Sequence, residues 1–325
     1  MNRRHFLKNT GMTGIGLSMT PVVSAIIDNL HIETSTLEPF FKLSLAQWSL
    51  HRSILETKEI SNLDFAEKAR ELGFEGIEYV SQLYPLDPVN ISSSLSKLVY
   101  ELKLRSNENN VDNVLIMVDD EGELAASSKH ERNEAINRHS KWIDAASELK
   151  CHSIRVNLFG KDTEHDFYKW KEASIDGLGR LAEYALKNNI NVIVENHGGL
   201  SSAGDKLTEV IKAINLKNCG VLPDFGNFCV KRQGGERWGA PCIEEYDRYK
   251  GTLEMMPFAH GVSAKSYDFD SNGNETTIDY QRMLKIVKES GYNGFIGVEY
   301  EGQRLSENDG IIATKKLLLK AASQL

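Results

Sequence analysis

From Phe41 onward the sequence alternates short apolar runs with longer stretches of helical periodicity, and it does so eight times. A short Val/Ile/Leu run bounded by turn residues reads as a strand covered on both faces, since such a strand needs no polar alternation. Strand followed by amphipathic helix, repeated, sets the strands parallel with the helices outside them. The expected strands are 43–50, 76–80, 114–118, 153–158, 191–195, 220–222, 261–266 and 295–298, and the helices between them include 131–149, 172–187, 206–214, 243–249 and 280–289. The 325 residues have room for one α/β barrel of about 250 residues with extras. Eight units favour a single (β/α)8 TIM barrel over a doubly wound sheet, because no Gly-x-Gly-x-x-Gly follows any strand.

The barrel is expected over 41–325, preceded by a distinct segment 1–27 and a linker 28–40. Arg3-Arg4 lead into a mildly apolar, Gly/Ser/Thr-containing run that ends near the small residues Val23-Ser24-Ala25. This pattern is that of a twin-arginine export signal, and it predicts a periplasmic mature protein with no integral membrane span. A net charge of −8 argues against a duplex nucleic-acid surface, which needs a basic face to neutralise phosphates. Cys151, Cys219, Cys229 and Cys242 have no Cys-x-x-Cys spacing and read as buried thiols, although an oxidising compartment would permit a Cys229–Cys242 bridge.

In a (β/α)8 barrel the active site forms at the carboxyl ends of the strands. Three acids follow apolar runs at such ends: Glu195 after the fifth strand, Asp224 after the sixth and Glu299 after the eighth. Converging carboxylates are costly to bury without a cation, and hard oxygen donors suit a divalent metal: Mg²⁺, Mn²⁺, or a tolerant Zn²⁺ or Co²⁺ site if nitrogen joins them. Gln47, Trp48, Glu78, Tyr79, Arg155, Asn157, His197 and Asn227 are candidate pocket residues by position. The insertion 231–238 after the sixth strand is a candidate lid or substrate-contact loop.

Over Phe41 to Leu319 the sequence resembles the sugar phosphate isomerase/epimerase superfamily, the xylose isomerase-like barrels. That family has Glu at the end of strand five, Asp with His three residues later at strand six, a His-Val-His-Leu-Lys-like strand seven and Glu at strand eight. Glu195, Asp224 and Glu299 match, while Asn227 and Ser263 stand where the family has histidines. The resemblance implies that Glu195, Asp224 and Glu299 hold a divalent metal, and that Glu195 and Glu299 form the acid/base pair acting beside a sugar carbonyl through an enediolate. His197 shares the parity of Glu195 and is a replacement nitrogen ligand, whereas His260 lies at the amino end of its strand and turns away. Lys265 is a further catalytic candidate that would balance the acids, bind a substrate oxygen, or act as an electrophile where no metal is bound. The expected substrate is a ketose or oxidised sugar, with isomerase or epimerase chemistry. A keto-sugar glycoside lyase using the same site and a non-catalytic sugar-binding barrel are the alternatives, and a homo-oligomer is left open.

Overall fold

The computed structural model describes residues 38–325, so the expected export segment lies outside the described residues. Eight strands build the barrel: β1 (Lys42–Ala46), β2 (Gly76–Val80), β3 (Asp112–Val118), β4 (Ser153–Val156), β5 (Asn191–Glu195), β6 (Cys219–Leu222), β9 (Val262–Ser266) and β10 (Phe295–Tyr300). Between β6 and β9 the chain adds a two-stranded hairpin, β7 (Cys229–Arg232) and β8 (Cys242–Glu245). The barrel strands pair in parallel in the order β6-β5-β4-β3-β2-β1-β10-β9. Single parallel bridges from Val221 to Ala259 and from Asp224 to Ser263 join the two ends of that order. The second of these bridges ties two candidate site positions together through the backbone.

Each barrel strand is followed by a helix: α1 (Phe65–Glu71), α2 (Ile91–Glu108), α3 (Lys129–Leu149), α4 (Phe167–Leu186), α5 (Gly204–Ile214), α6 (Arg248–Met255), α7 (Tyr280–Glu289) and α8 (Glu307–Ala322). Their apolar stripes close over the sheet; α4, for example, buries Trp170, Leu178, Leu181 and Ala185. Side chains of Ser128, Asp166, Asp247, Asp279 and Ser306 accept from orphan N–H groups at the first turns of α3, α4, α6, α7 and α8. Among the described residues no helix is long and apolar enough to cross a membrane.

Two local expectations fail for identifiable reasons. The first strand stops at Ala46, and Gln47–Leu50 forms a 3₁₀ turn. There the Gln47 amide accepts from the Val80 N–H at 3.1 Å and donates to Tyr84 Oη at 2.8 Å and to the Asn62 carbonyl at 3.2 Å. The helix expected at 243–249 begins only at Arg248, because Cys242–Glu245 pair antiparallel with Cys229–Arg232. Cys229 and Cys242 are joined in a disulfide across this hairpin, which corrects their reading as thiols; Cys151 and Cys219 are free and buried.

Below the mouth, the barrel interior holds an acid of its own. Ser44 Oγ donates to Glu78 Oε1 at 2.6 Å, and the carboxyl fills the space where a Cβ on Gly297 would stand, 2.5 Å from that oxygen. Glycine at 297 is therefore a packing requirement. Burial, only partly offset by the Ser44 hydrogen bond, lifts the Glu78 carboxyl from its ordinary 4.5 to about 7. Between those values the folded chain keeps a proton that the unfolded chain has released. The stability from the neutral form is thus complete below about 4.5 and is lost as the pH climbs to about 7. Glu78→Gln keeps the shape and removes the ionisation. The variant should be more stable than the parent at pH 8 by up to about 3 kcal/mol, with the difference vanishing near pH 4.5; denaturant unfolding at the two pH values measures it.

Candidate functional site

The carboxyl ends of β5, β6, β9 and β10 meet at one side of the barrel mouth, and the polar residues at those ends converge. Glu195 is the last residue of β5, Asp224 lies two residues past β6, and Glu299 is next to last in β10. One carboxylate oxygen from each lies within 4.8 Å of the others, and all three residues are buried. Ser263, inward-facing on β9, donates to Asp224 Oδ2 at 2.6 Å and contacts Glu299 Oε2 at 3.0 Å. One hydroxyl proton serves one acceptor, so the second contact is satisfied when Glu299 carries a proton and donates to Ser263 Oγ.

Two cations flank the acids. Arg155 Nε lies 2.9 Å from Glu195 Oε2 as an ionic contact, while its Nη1 donates to Asp119 Oδ1 at 2.7 Å. Lys265 Nζ, wholly buried, lies 3.6 Å from Glu299 and 3.3 Å from Glu301. Burial opposes the lysine charge, but Glu299, Glu301 and Asp224 outweigh it and hold the ammonium well above its ordinary range.

The same balance separates the acids. Burial pushes Glu195 up, yet His197, Arg155 and Lys265 pull its carboxyl below the ordinary value. Burial also keeps His197 deprotonated, so the permanent charge of Arg155 is the dependable part of that pull. At Asp224 burial prevails over Lys265 and raises the carboxyl to about 6, and at Glu299 burial with the neighbouring carboxylates raises it well above its ordinary value.

Asn196 fixes the turn that carries Asp224: its side chain accepts from the Asp224 N–H at 2.7 Å and donates to the Asp224 and Asn227 carbonyls, both at 3.0 Å. Asn227 Nδ2 in turn donates to Glu195 Oε1 at 3.0 Å. Asn157 donates to Asp119 at 2.6 Å through Nδ2, which turns its oxygen toward His197 Nδ1 at 2.7 Å. A neutral imidazole that donates through Nδ1 presents Nε2 as an acceptor. Gly198 and Gly199, both at positive φ, then bend the chain sharply away after the imidazole.

Above the acids lies a cavity of about 650 Å³. Of the sequence candidates, Trp48, Arg155, Asn157, His197, Asn227 and Glu299 reach its wall. Glu195 and Asp224 sit behind the wall, held by Arg155 and by Asn227. Gln47, Glu78 and Tyr79 do not line the cavity: Gln47 is consumed by the backbone below it, Glu78 lies in the barrel interior, and Tyr79 is core, bonded to Asn113 at 2.7 Å. His260 sits at the opposite, amino-terminal end, its N–H donating to the Val221 carbonyl. The cavity also takes Arg237 and Trp238 from the insertion expected to be a lid or substrate-contact loop, and Asp119, Glu301 and Phe159, which were not singled out as site residues from the sequence. Asp119 and Glu301 carried the same signal as the three acids, a carboxylate just past an apolar run.

The residues at the mouth fit a divalent cation. Oxygens sharing an ion at about 2.0–2.4 Å can stand no farther apart than roughly 4.8 Å, and the triad meets that limit. Burial is the main cause of the upward shifts at Asp224 and Glu299, and the neighbouring Glu195 carboxylate adds to both against the pull of Lys265.

The family described as the xylose isomerase-like TIM barrel matches residues 66–321. Among curated proteins, segments are similar to C-glycoside deglycosidase alpha subunits of Arthrobacter globiformis. One is 40% identical over 67 residues, 20% of this chain and 19% of the relative; another is 26% identical over 125 residues, 36% and 32% of the two. The chain thus matches less than a third of the length of either. Among solved structures, a 3-keto-D-glucoside 4-epimerase from E. coli superposes with a TM-score of 0.63 at 14% identity, covering 86% of this chain and 98% of that one. A zinc-bound IOLI protein gives 0.63 at 15%, covering 87% and 99%. A xylose isomerase-like TIM barrel protein from Mycobacterium smegmatis in complex with magnesium gives 0.58 at 16%, covering 87% and 97%. At these identities the structural likeness is one of fold.

Removing Arg155 strands two carboxylates. Arg155→Met should cost roughly 3–5 kcal/mol at pH 8. The loss should shrink as the pH falls and Glu195 and Asp119 take up protons, because without their cation they titrate above their unfolded values. Denaturant melts at pH 8 and pH 5 measure this; a loss below about 1 kcal/mol at both would contradict a shared buried ion pair.

Proposed function

The chain belongs to the xylose isomerase-like TIM barrel family, and on that premise we propose that it is an acid/base enzyme acting beside the ketone of an oxidised sugar, as an epimerase or isomerase. The observation that carries the reading is the arrangement of two buried glutamates, Glu195 and Glu299, close to Asp224 and each beside a different cation. A proton next to a carbonyl is weakly acidic, and one carboxylate can remove it only if the other charge changes in the site are compensated. Glu195, kept ionised by Arg155 and by the Asn227 amide, is the base. Glu299 returns a proton to the sugar carbon, and Lys265 at 3.6 Å stabilises the carboxylate so formed. Neutral His197, through Nε2, accepts from a sugar hydroxyl and orients the ring. A divalent cation held by Glu195, Asp224 and Glu299 would supply positive charge against the negative charge of the enediolate.

The resemblance of short segments to C-glycoside deglycosidase subunits supports a second reading, a lyase. In it Glu195 removes the same proton, the electron pair of that C–H bond forms a double bond to the neighbouring ring carbon, the bond from that carbon to the leaving group breaks with its electron pair going to the leaving group, and Glu299 protonates the departing group. The disulfide at Cys229–Cys242 is compatible with the export reading, since such bonds persist in oxidising compartments. On this proposal the mature protein is periplasmic.

Incubation with 3-keto-glucosides in D₂O tests both reactions. Deuterium should enter the carbon beside the ketone. A diastereomeric product identifies epimerisation, and a released leaving group identifies the lyase. Glu195→Gln and Glu299→Gln should each lower exchange by about 10²-fold or more; unaltered exchange in either variant would remove that residue from the reaction. For the cation, Mn²⁺ or Mg²⁺ should raise the melting temperature of the parent and leave Asp224→Asn unmoved.

A further inference from the structure

The cavity is larger than its acidic floor requires. At about 650 Å³ it falls midway in the range of roughly 300–1,000 Å³ for sites that enclose drug-sized ligands, so a lone sugar ring would leave much of it empty. The outer part has its own construction. Trp238, carried on the loop between β7 and β8, is 48% exposed, and its ring packs against His197 at 4.7 Å and Phe159 at 5.8 Å between centroids. Because His197 also bonds Asn157 at the acid floor, the aromatic wall and the floor are continuous through one side chain.

Beside it the Arg237 guanidinium lies 4.2 Å from the Phe159 ring centroid, and its Nη2 is taken up by Glu123 at 2.8 Å and Glu164 at 3.3 Å. Its charge is thereby matched, so the arginine holds the wall in place and is no anion trap. Six carboxylates against three guanidiniums line the whole cavity, which disfavours phosphorylated or otherwise anionic ligands. Asp120, on the cavity rim at a positive φ of 61°, donates and accepts no hydrogen bond among the described residues, which leaves its carboxylate open to a ligand hydroxyl. The hairpin beneath the wall is locked by the Cys229–Cys242 bond and by the Arg232 Nη1 hydrogen bond to the Ala240 carbonyl at 2.9 Å.

We propose that Trp238, Phe159 and His197 form a second subsite, which holds the group attached to the oxidised sugar: an uncharged ring with an apolar face and hydroxyls on its edge. This rests on the keto-sugar reading and names the substrate class as a glycoside rather than a free monosaccharide. An apolar face stacks on the open side of Trp238, while edge hydroxyls donate to the rim carboxylates. A phenolic ring and a second sugar share that chemistry.

Binding measured by titration calorimetry decides the matter independently of turnover, with 3-keto-glucose, phenyl 3-keto-glucoside and a 3-keto-disaccharide as probes. At least one of the two glycosides should bind roughly tenfold or more tighter than 3-keto-glucose; which one does so identifies the attached group as aromatic or as sugar. In Trp238→Ala that preference should collapse toward one, and in Trp238→Phe it should largely return. Equal affinities for all three probes in the parent protein, no binding of any, or a preference that survives in Trp238→Ala would overturn the subsite. Tight, Trp238-dependent glycoside binding without deuterium exchange would instead overturn the catalytic reading and leave the subsite standing.

Discussion

Five carboxylates and two cations meet at the barrel mouth, and this imbalance governs the structure around it. Glu195, Asp224 and Glu299 crowd together while Asp119 and Glu301 stand beside them; Arg155 and Lys265 are each shared between two acids. A buried charge without a partner is far costlier than a paired one, so each guanidinium or ammonium contact constrains the strand end that carries it. The surrounding amides follow the same demand. Asn227 donates to Glu195, Asn196 grips the Asp224 turn, and the Gly226 and Asn227 N–H groups both donate to Asp224 Oδ1 at 2.9 Å.

The sharing also makes the acids unequal. Glu195 faces a permanent guanidinium and stays ionised, whereas Asp224 and Glu299 share what remains and hold protons more firmly. Carboxyl groups of one chemical type are thereby given different proton affinities by burial and by their neighbours. Glu78, farther down, shows the limit of the effect. With one serine hydroxyl and no cation within bonding distance it is pushed to about 7, and the barrel accommodates it over the bare backbone of Gly297.

Much of this is legible in the sequence. The strand over 76–80, the strand over 191–195 and the helix over 280–289 coincide with the structure to the residue. Their limits are marked locally, by a glycine, a polar break or a capping aspartate. The triad was readable for a similar reason: in parallel strands of one barrel, a carboxylate just past an apolar run must emerge at the shared mouth. The hairpin was not, because Ile243 and its neighbours carry a helical pattern that strand pairing and the Cys229–Cys242 bond override. Nor were the roles of Gln47 and Tyr79, whose polar atoms are bound by Val80, Tyr84 and Asn113, partners between 33 and 37 positions away in the chain and chosen only by packing.

The sequence alone determined the eightfold strand–helix repeat, hence the barrel, and the strand ends on which Glu195, Asp224 and Glu299 stand, because hydrophobic period and chain direction are local properties. The tertiary structure alone decided which charges meet: that Arg155 serves both Glu195 and Asp119, that Ser263 bridges Asp224 and Glu299, and that Trp238 reaches His197 from a separate hairpin. Those contacts depend on distances of a few ångströms between residues far apart in the chain. Electrostatic energy in a poorly solvated site varies steeply over such distances, and no pattern along the sequence encodes them.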